Sequence, residues 1–327
     1  MATVTTVDVT SILGSTTFPQ NANDAYGLLE TICAQNIRAL KSFNRIEDAF
    51  YDYVVDNGTV IEEAVVKMAE AQNFVKTGAP NLAPLDPTLY VKYFNNWEAK
   101  QFETTIRKSD IRKILANKGT GFEEVVAEIM GSLREGESYY DFTQMAAVFD
   151  DIADNEDFAN AEEVLFSNKV PASMKGVVYC LREMYNAIKA TNTIGLVDSS
   201  NAAPHGTPVE DIRIAVSESV LNLIDVVELA NIFNLSKEEL FGKLVVIPAG
   251  ALADSNNNYV FVYDRKALGR GTRLFEYSQD VIGKGLYSNH YLTTERCYFV
   301  NQLYKGLLLN CDGAVTAAKA QLLANPS

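Results

Sequence analysis

Histidine is nearly absent from this 327-residue chain: only His205 and His290 occur, and neither sits in an HxxxH or HExxH frame. Such frames put two imidazoles on one helix face for a metal, so zinc hydrolase chemistry is not expected. Cysteine is also scarce. Cys33, Cys180, Cys297 and Cys311 show no CxxC spacing, and they are expected to be small buried hydrophobes rather than disulfides or ligands. No apolar run reaches eighteen residues, so no membrane-spanning helix is expected. The N-terminus lacks the basic and apolar regions of a secretory signal, which predicts synthesis in the cytoplasm. Positive charge is in deficit, with 28 Lys and Arg against 42 Asp and Glu for a net charge of −14. That balance argues against sequence-reading nucleic-acid binding, which needs a basic patch.

The motifs of common catalysts are missing as well. There is no GxSxG elbow and no GxxxxGK[ST] loop. Leu268-Gly269-Arg270-Gly271-Thr272-Arg273 does not lead into a helix start, and its glycines predict a hairpin turn. The pair Glu123-Glu124 falls in the first turn of a helix, where the dipole favours negative charge. Glu62 and Glu63 point to opposite faces of a strand and cannot act as a dyad. His205 and His290 are expected as surface or loop imidazoles. No catalytic residue, cofactor site or metal site is predicted.

What is present is a ribbon. Residues 57–107 hold two β-prone runs either side of Gly78-Ala79-Pro80-Asn81-Leu82-Ala83-Pro84-Leu85-Asp86-Pro87. The first run, 59–69, fits a helix or a strand, and we read it as a strand because it pairs naturally with the second. The return run from Thr88 to Ile106 is rich in aromatic and β-branched residues. Alternation sends Leu89, Val91, Tyr93 and Trp97 one way, and Tyr90, Phe94, Phe102 and Ile106 the other. A two-stranded ribbon is marginal alone in water. With aromatics on both faces it needs a surface to lie on, and a second copy of the chain is a natural one. Tyr90, Tyr93, Phe94, Trp97 and Phe102 are therefore the candidate intersubunit contacts. The one basic cluster, Arg107, Lys108, Arg112, Lys113 and Lys118, would contact nucleic acid or acidic neighbours on another subunit, and charge complementarity favours the second.

Elsewhere residues 1–24 read as an extended arm and 25–42 as a helix. Thr120-Gly121-Phe122-Glu123 is a capping box. It opens a helix striped by Phe122, Val125, Val126, Ile129, Met130 and Leu133, and a second helix is expected from Ser138. A third spans 172–190, with Met174, Val177, Val178, Leu181, Met184, Tyr185 and Ile188 on one face. Residues 191–208 form a linker and the expected domain boundary. Beyond it come a strand at 212–216, an apolar helix at 219–233, a short helix capped by Ser236 and Glu239, strands at 244–247, 259–263 and 272–277, a hairpin within 291–309 broken near Gln302, and an Ala-rich terminal helix. Helices and antiparallel strands mix without a βαβα rhythm, which predicts an α+β fold.

Taken in order, several segments resemble the major capsid proteins of small tailed phages, particularly the short-tailed podoviruses related to the small Bacillus phages. They are Asn57-Gly58-Thr59-Val60-Ile61-Glu62-Glu63, Asn96 through Ile106, Phe122-Glu123-Glu124-Val125-Val126, Leu229-Ala230-Asn231-Ile232-Phe233-Asn234 and Gly285-Leu286-Tyr287-Ser288-Asn289-His290-Tyr291. The resemblance implies the HK-ninety-seven-type capsid fold. Residues 1–45 would be an N-terminal arm, and 57–107 an E-loop overlapping the adjacent subunit. Residues 46–56 and 108–191 would form a peripheral domain with a spine helix at 119–135. Residues 192–285 would be an axial domain, and 286–327 the return to the peripheral domain and the tail. The function implied is an icosahedral shell of hexamers and pentamers around viral double-stranded DNA. Partners would be other copies of the chain, a portal, a scaffold protein, and packaged DNA bound non-specifically, with no membrane. The chain would act in the virion after assembly in the host cytoplasm. Lys67, Lys76 and Lys92 lie in the ribbon, and no cross-link is expected. Two alternatives are a nanocompartment shell of the same fold and a cytoplasmic hydrolase with an unrecognised acidic pair.

Overall fold

The computed structural model describes residues 45–56, 58–66, 86–87, 89–107, 109, 121–155, 171–189, 207–224, 243–248 and 250–324. The expected arm, the helix at 25–42, Cys33, Lys67, Lys76, the basic cluster beyond Arg107, His205 and nearly all of 191–208 and 225–242 lie outside these residues. By its contacts the chain divides into two units. One contains 99–140 and 275–294, and the other 44–98, 141–274 and 295–327.

The second unit is built around a mixed sheet whose apolar strands are covered on both sides. Its strands run in the order β10 (Gly306–Asn310), β7 (Tyr259–Asp264), β5 (Ile212–Ser217) and β6 (Leu244–Ile247). β5 pairs antiparallel with β7 and parallel with β6. Alternation divides the side chains between two cores. Ile212, Ile214, Val216, Val260, Val262, Leu307 and Leu309 pack with helices α2 (Met174–Lys189) and α4 (Asp312–Ala324). Ala215, Phe261, Tyr263 and Leu308 pack with Met145, Phe149 and Ile152 of helix α1 (Gly121–Asn155) and with Ile46, Ala49 and Phe50. A strand covered on both faces favours a continuous apolar run, and all six residues of β7 are buried; Asp264, at its end, accepts from Thr207 Oγ1 and from the Lys266 N–H, each at 2.9 Å.

α2 begins where Ser173 caps it, its Oγ accepting from the Gly176 N–H at 3.3 Å. Its expected stripe is the buried face: Val177, Leu181, Met184, Tyr185 and Ile188 are all covered. Helix α3 (Glu218–Leu221) is a single turn after β5. Within 219–233 the described residues show only this turn and its continuation to 224.

Three expectations are corrected. The two helices predicted on either side of Ser138 are one 35-residue helix. Gly131 and Gly136 lower helix propensity, but neither removes a backbone donor and no proline intervenes, so the ladder continues. The hairpin predicted within 291–309 is two strands in different sheets. β9 (Tyr287–Val300) lies in the sheet ordered β1 (Tyr51–Val54), β8 (Leu268–Ile282), β9, β4 (Glu98–Arg107), whereas β10 pairs with β7. Finally, Gly269 and Gly271 are not in a turn. They lie in β8, paired in parallel with Tyr51 and Tyr53. These glycines serve close approach: a Cβ on Gly269 would stand 2.2 Å from Phe299 Cζ, and one on Gly271 would stand 2.6 Å from Ile61 Cδ1.

Strand β10 shares its sheet with β5, β6 and β7, and α2 packs on that sheet.

Candidate assembly surface

Among the described residues the ribbon is formed by two strands, and one of its faces is occupied. β2 (Ile61–Val66) pairs antiparallel with β3 (Leu89–Phe94), with Ile61 opposite Phe94 and Val66 opposite Leu89. The return run predicted from Thr88 to Ile106 is divided at Asn95-Asn96-Trp97, so that β4 joins the four-stranded sheet instead.

The inner face consists of Ile61, Glu63, Val65, Tyr90, Lys92 and Phe94. The Phe94 ring stacks on Phe299 with centroids 3.8 Å apart. Val65 and Tyr90 pack against Leu303 and Tyr304. Lys92 Nζ donates to Gln302 Oε1 at 2.7 Å. Glu63 accepts from two phenols, Tyr53 Oη at 2.7 Å and Tyr304 Oη at 3.1 Å. Burial first, and then the Glu63 carboxylate, raise both phenol pKa values above the ordinary range, so the two tyrosines remain donors. This face is fastened to its own subunit by stacking and charge-assisted hydrogen bonds.

The outer face is different. Glu62, Ala64, Val66, Leu89, Val91 and Tyr93 form it, and the exposures of Val66, Leu89 and Tyr93 are 50%, 55% and 63%. A strip of valine, leucine and tyrosine in water is the kind of surface that marks an interaction site.

Of the five aromatics predicted as intersubunit contacts, only Tyr93 is exposed. Tyr90 and Phe94 belong to the inner face. Trp97 packs with Ile61, Cys297 and Phe299, and its ring lies under the Arg273 guanidinium at 4.9 Å. Arg273 is itself held in a two-pronged pair with Glu295. Phe102, in the other unit, faces the Tyr140 ring at 6.2 Å and lies against Gly136. The physical reason is a set of partners distant in sequence: Leu89, Val91 and Tyr93 alternate with Tyr90 and Phe94 as expected, but Trp97, expected on the Tyr93 face, packs with Phe94 and Phe299 instead, and residues 297–304 cover the inner face.

Beneath β1 and β8 lies a charge network that no sequence pattern announced. Asp141, 1% exposed, accepts from Arg270 Nη1 at 2.6 Å and from Tyr298 Oη at 2.5 Å, and pairs with Arg296 at 3.4 Å. Arg270 also meets Asp52 at 2.6 Å and Glu47 at 3.5 Å. Burial alone would lower the Arg270 pKa; the Asp141 and Asp52 carboxylates outweigh it and raise the value. Only the charge sign and spacing of these residues were legible beforehand, and neither pointed to contact.

His290 is corrected too. It is fully buried on β9 rather than at the surface. Its Nδ1 lies 2.5 Å from Tyr277 Oη and its Nε2 lies 3.0 Å from Ser288 Oγ. Burial lowers its pKa to about 4, so it is a neutral structural imidazole at pH 7. Cys180, Cys297 and Cys311 are buried thiols. Among the described residues no cluster of His, Cys, Asp or Glu is arranged to hold a metal, and no helix is long and apolar enough to cross a membrane. A cavity of about 250 Å³ beside α1 is lined by Glu98 and Asp151, with Asn96, Gln144, Tyr298 and Phe299 among their neighbours.

The long helix, the covered mixed sheet, the long-stranded sheet and the two-stranded ribbon are those of the HK-ninety-seven-type capsid fold. Solved structures share it. The chain is similar to one in the capsid of Staphylococcus phage Andhra, with a TM-score of 0.65 and 12% identity over 84% of this chain and 86% of that one. A chain in the structure of the head fiber and inner core protein gp22 of native bacteriophage P68 gives a TM-score of 0.55 at 12% identity, covering 82% and 84%. One from the capsid of cyanophage P-SCSP1u gives 0.51 at 9% identity, covering 84% and 89%. At such identities these likenesses establish the fold alone. No curated protein matches the chain in sequence. The family is given by the sequence: residues 1–306 match the Phi29-like phage major capsid protein model, and the chain belongs to that family. Its function is structural. It builds a phage capsid by associating with its own copies, and its place is the virion.

Proposed function

We propose that the chain assembles into hexamers and pentamers of an icosahedral shell around double-stranded DNA, and that the outer face of its ribbon lies on a neighbouring subunit. The exposed strip of Val66, Leu89 and Tyr93, opposite a face already fastened at home, carries this reading. A ribbon held on one side is presented at a fixed height and angle, so less order is lost when the other side is covered. Covering the exposed half of each of these side chains would contribute about 1 kcal/mol apiece, roughly 3 kcal/mol per ribbon. Each contact is modest, and closure of a shell multiplies it. Tyr90, Phe94 and Trp97 act in this reading as the ribbon's seat rather than its contact, and Phe102, on β4, is no part of the ribbon.

The role is mechanical rather than catalytic. Assembly takes place in the host cytoplasm, with a portal and a scaffold protein as further partners, and the family resemblance supports both. The test is Leu89→Asp combined with Tyr93→Asp. The subunit should stay soluble with an unaltered melting temperature, while particle counts by negative-stain microscopy fall at least tenfold. A normal particle yield would remove the ribbon from the interface.

A further inference from the structure

Helix α2 has a second face that the core does not use. Lys175, Tyr179, Arg182, Asn186 and Lys189 recur at intervals of four and three residues, and all five are exposed. This stripe spans about 21 Å along the helix. The only acid on α2, Glu183, is half-buried and off the stripe. Neither Lys175 nor Arg182 meets a carboxylate among the described residues, and Lys189 lies over its own helix's Tyr185 ring at 5.2 Å. Helix α4 packs against the same core. Its one exposed charge among residues 312–321 is Lys319, because Asp312 is half-buried and accepts from Asn258 Nδ2 at 2.6 Å. In a chain with fourteen more acids than bases, two adjacent helices therefore expose cations and no carboxylate.

We propose that the outer face of α2, with Lys319 beside it, meets the phosphate backbone of packaged double-stranded DNA, which turns this face toward the interior of the shell. The inference rests on the capsid reading and adds to it a DNA-facing surface and a direction. Charge complementarity selects the occupant. Lysine, arginine, tyrosine and asparagine are the side chains that donate to phosphate oxygens, and phosphates only accept. A protein partner fits less well, because interface cores are apolar and depleted in lysine. Tyr179, at 63% exposure, is the one large apolar group the stripe presents. Contacts to phosphate carry no sequence information, as a container for a whole genome requires. Each subunit contributes a few weak contacts, repeated over the shell. The acidic remainder of the chain keeps DNA from adhering elsewhere.

The test uses full-length subunits and a fluorescent 30-base-pair duplex titrated across a range of salt concentrations. Wild type is compared with Lys175→Gln/Arg182→Gln/Lys189→Gln and with Lys100→Gln/Arg107→Gln/Lys284→Gln, which removes the same charge elsewhere. The α2 variant should lose about 2.7 from the slope of log K against log salt, at about 0.9 per phosphate contact. The second variant should keep the wild-type slope. Equal losses in both would reduce the effect to net charge, and an unchanged slope in the first would overturn the assignment. So would an α2 variant that still binds DNA normally but no longer binds an acidic capsid-assembly protein. Microscopy of the same preparations separates this from the capsid reading, which fails only if wild-type subunits form no particles. In DNA-filled particles, a lysine-acylating polymer too large to enter should leave Lys175 and Lys189 unmodified; modification there would place the face outside.

Discussion

Replacing Asp141 by alanine removes the carboxylate on which three side chains from two strands converge. Arg270, Tyr298 and Arg296 lie 2.6, 2.5 and 3.4 Å from its oxygens, and the Asp141 side chain is 2% exposed. Deleting one partner of a buried ion pair costs about 3–5 kcal/mol, because the remaining charge has been taken out of water without compensation. Arg270 keeps Asp52 and Glu47, whose side chains are 56% and 28% exposed, and Arg296 keeps Thr272 at 3.5 Å. Both reduce the penalty, so the lower end, about 3 kcal/mol, is expected. For a unit of this size that corresponds to a fall in Tm of roughly 6–12 °C. Asp141→Asn preserves the shape but not the charge and should show most of the loss. Tyr298→Phe removes one hydrogen bond and should cost about 1 kcal/mol. Thermal melts of the unassembled subunit, followed by circular dichroism and by the fluorescence of Trp97, the single tryptophan, would order the three variants. An Asp141→Ala melt within 2 °C of wild type would refute the network's contribution, as would a Tyr298→Phe loss larger than that of Asp141→Ala.

Gly269→Ala should destabilise the subunit by about 2–3 kcal/mol through overpacking, because the new methyl would stand 2.2 Å from a Phe299 ring already stacked on Phe94; Phe299→Leu in the same chain should restore part of the loss, and a wild-type Tm for the single variant would contradict the close approach. His290 makes stability depend on pH. Its pKa of about 4 in the folded chain lies below the ordinary 6.5, so the unfolded chain takes up the proton first; its contribution is complete above pH 6.5 and lost as pH falls through 4. The loss is at most about 3 kcal/mol, and His290→Gln should flatten the denaturation midpoint between pH 6.5 and 4. An equally steep profile in the variant would assign the dependence to other groups.

The local elements were legible because short-range physics dictates them. The 3.6-residue spacing of Val177, Leu181, Met184 and Ile188 defines α2 and its buried face whatever surrounds it. The alternation of Tyr90, Val91, Lys92 and Tyr93 gives a ribbon strand with two chemically distinct faces. The order of the capsid-like segments along the chain also carried the resemblance, and the family match over residues 1–306 agrees with it.

Tertiary structure decided which faces are covered and by what. Glycine in β8 looks like a turn signal until Phe299 and Ile61 arrive from elsewhere in the chain to fill the space it leaves. Asp141, Arg270 and Arg296 are ordinary charges in the sequence, and become a buried cluster only when α1, β8 and β9 bring them together. The ribbon's aromatics were visible from the start, but alternation assigns residues to two faces without saying which one meets the protein's own body. Residues 297–304 settle that for the inner face, since a contact across more than two hundred residues leaves no mark in the local pattern of either segment.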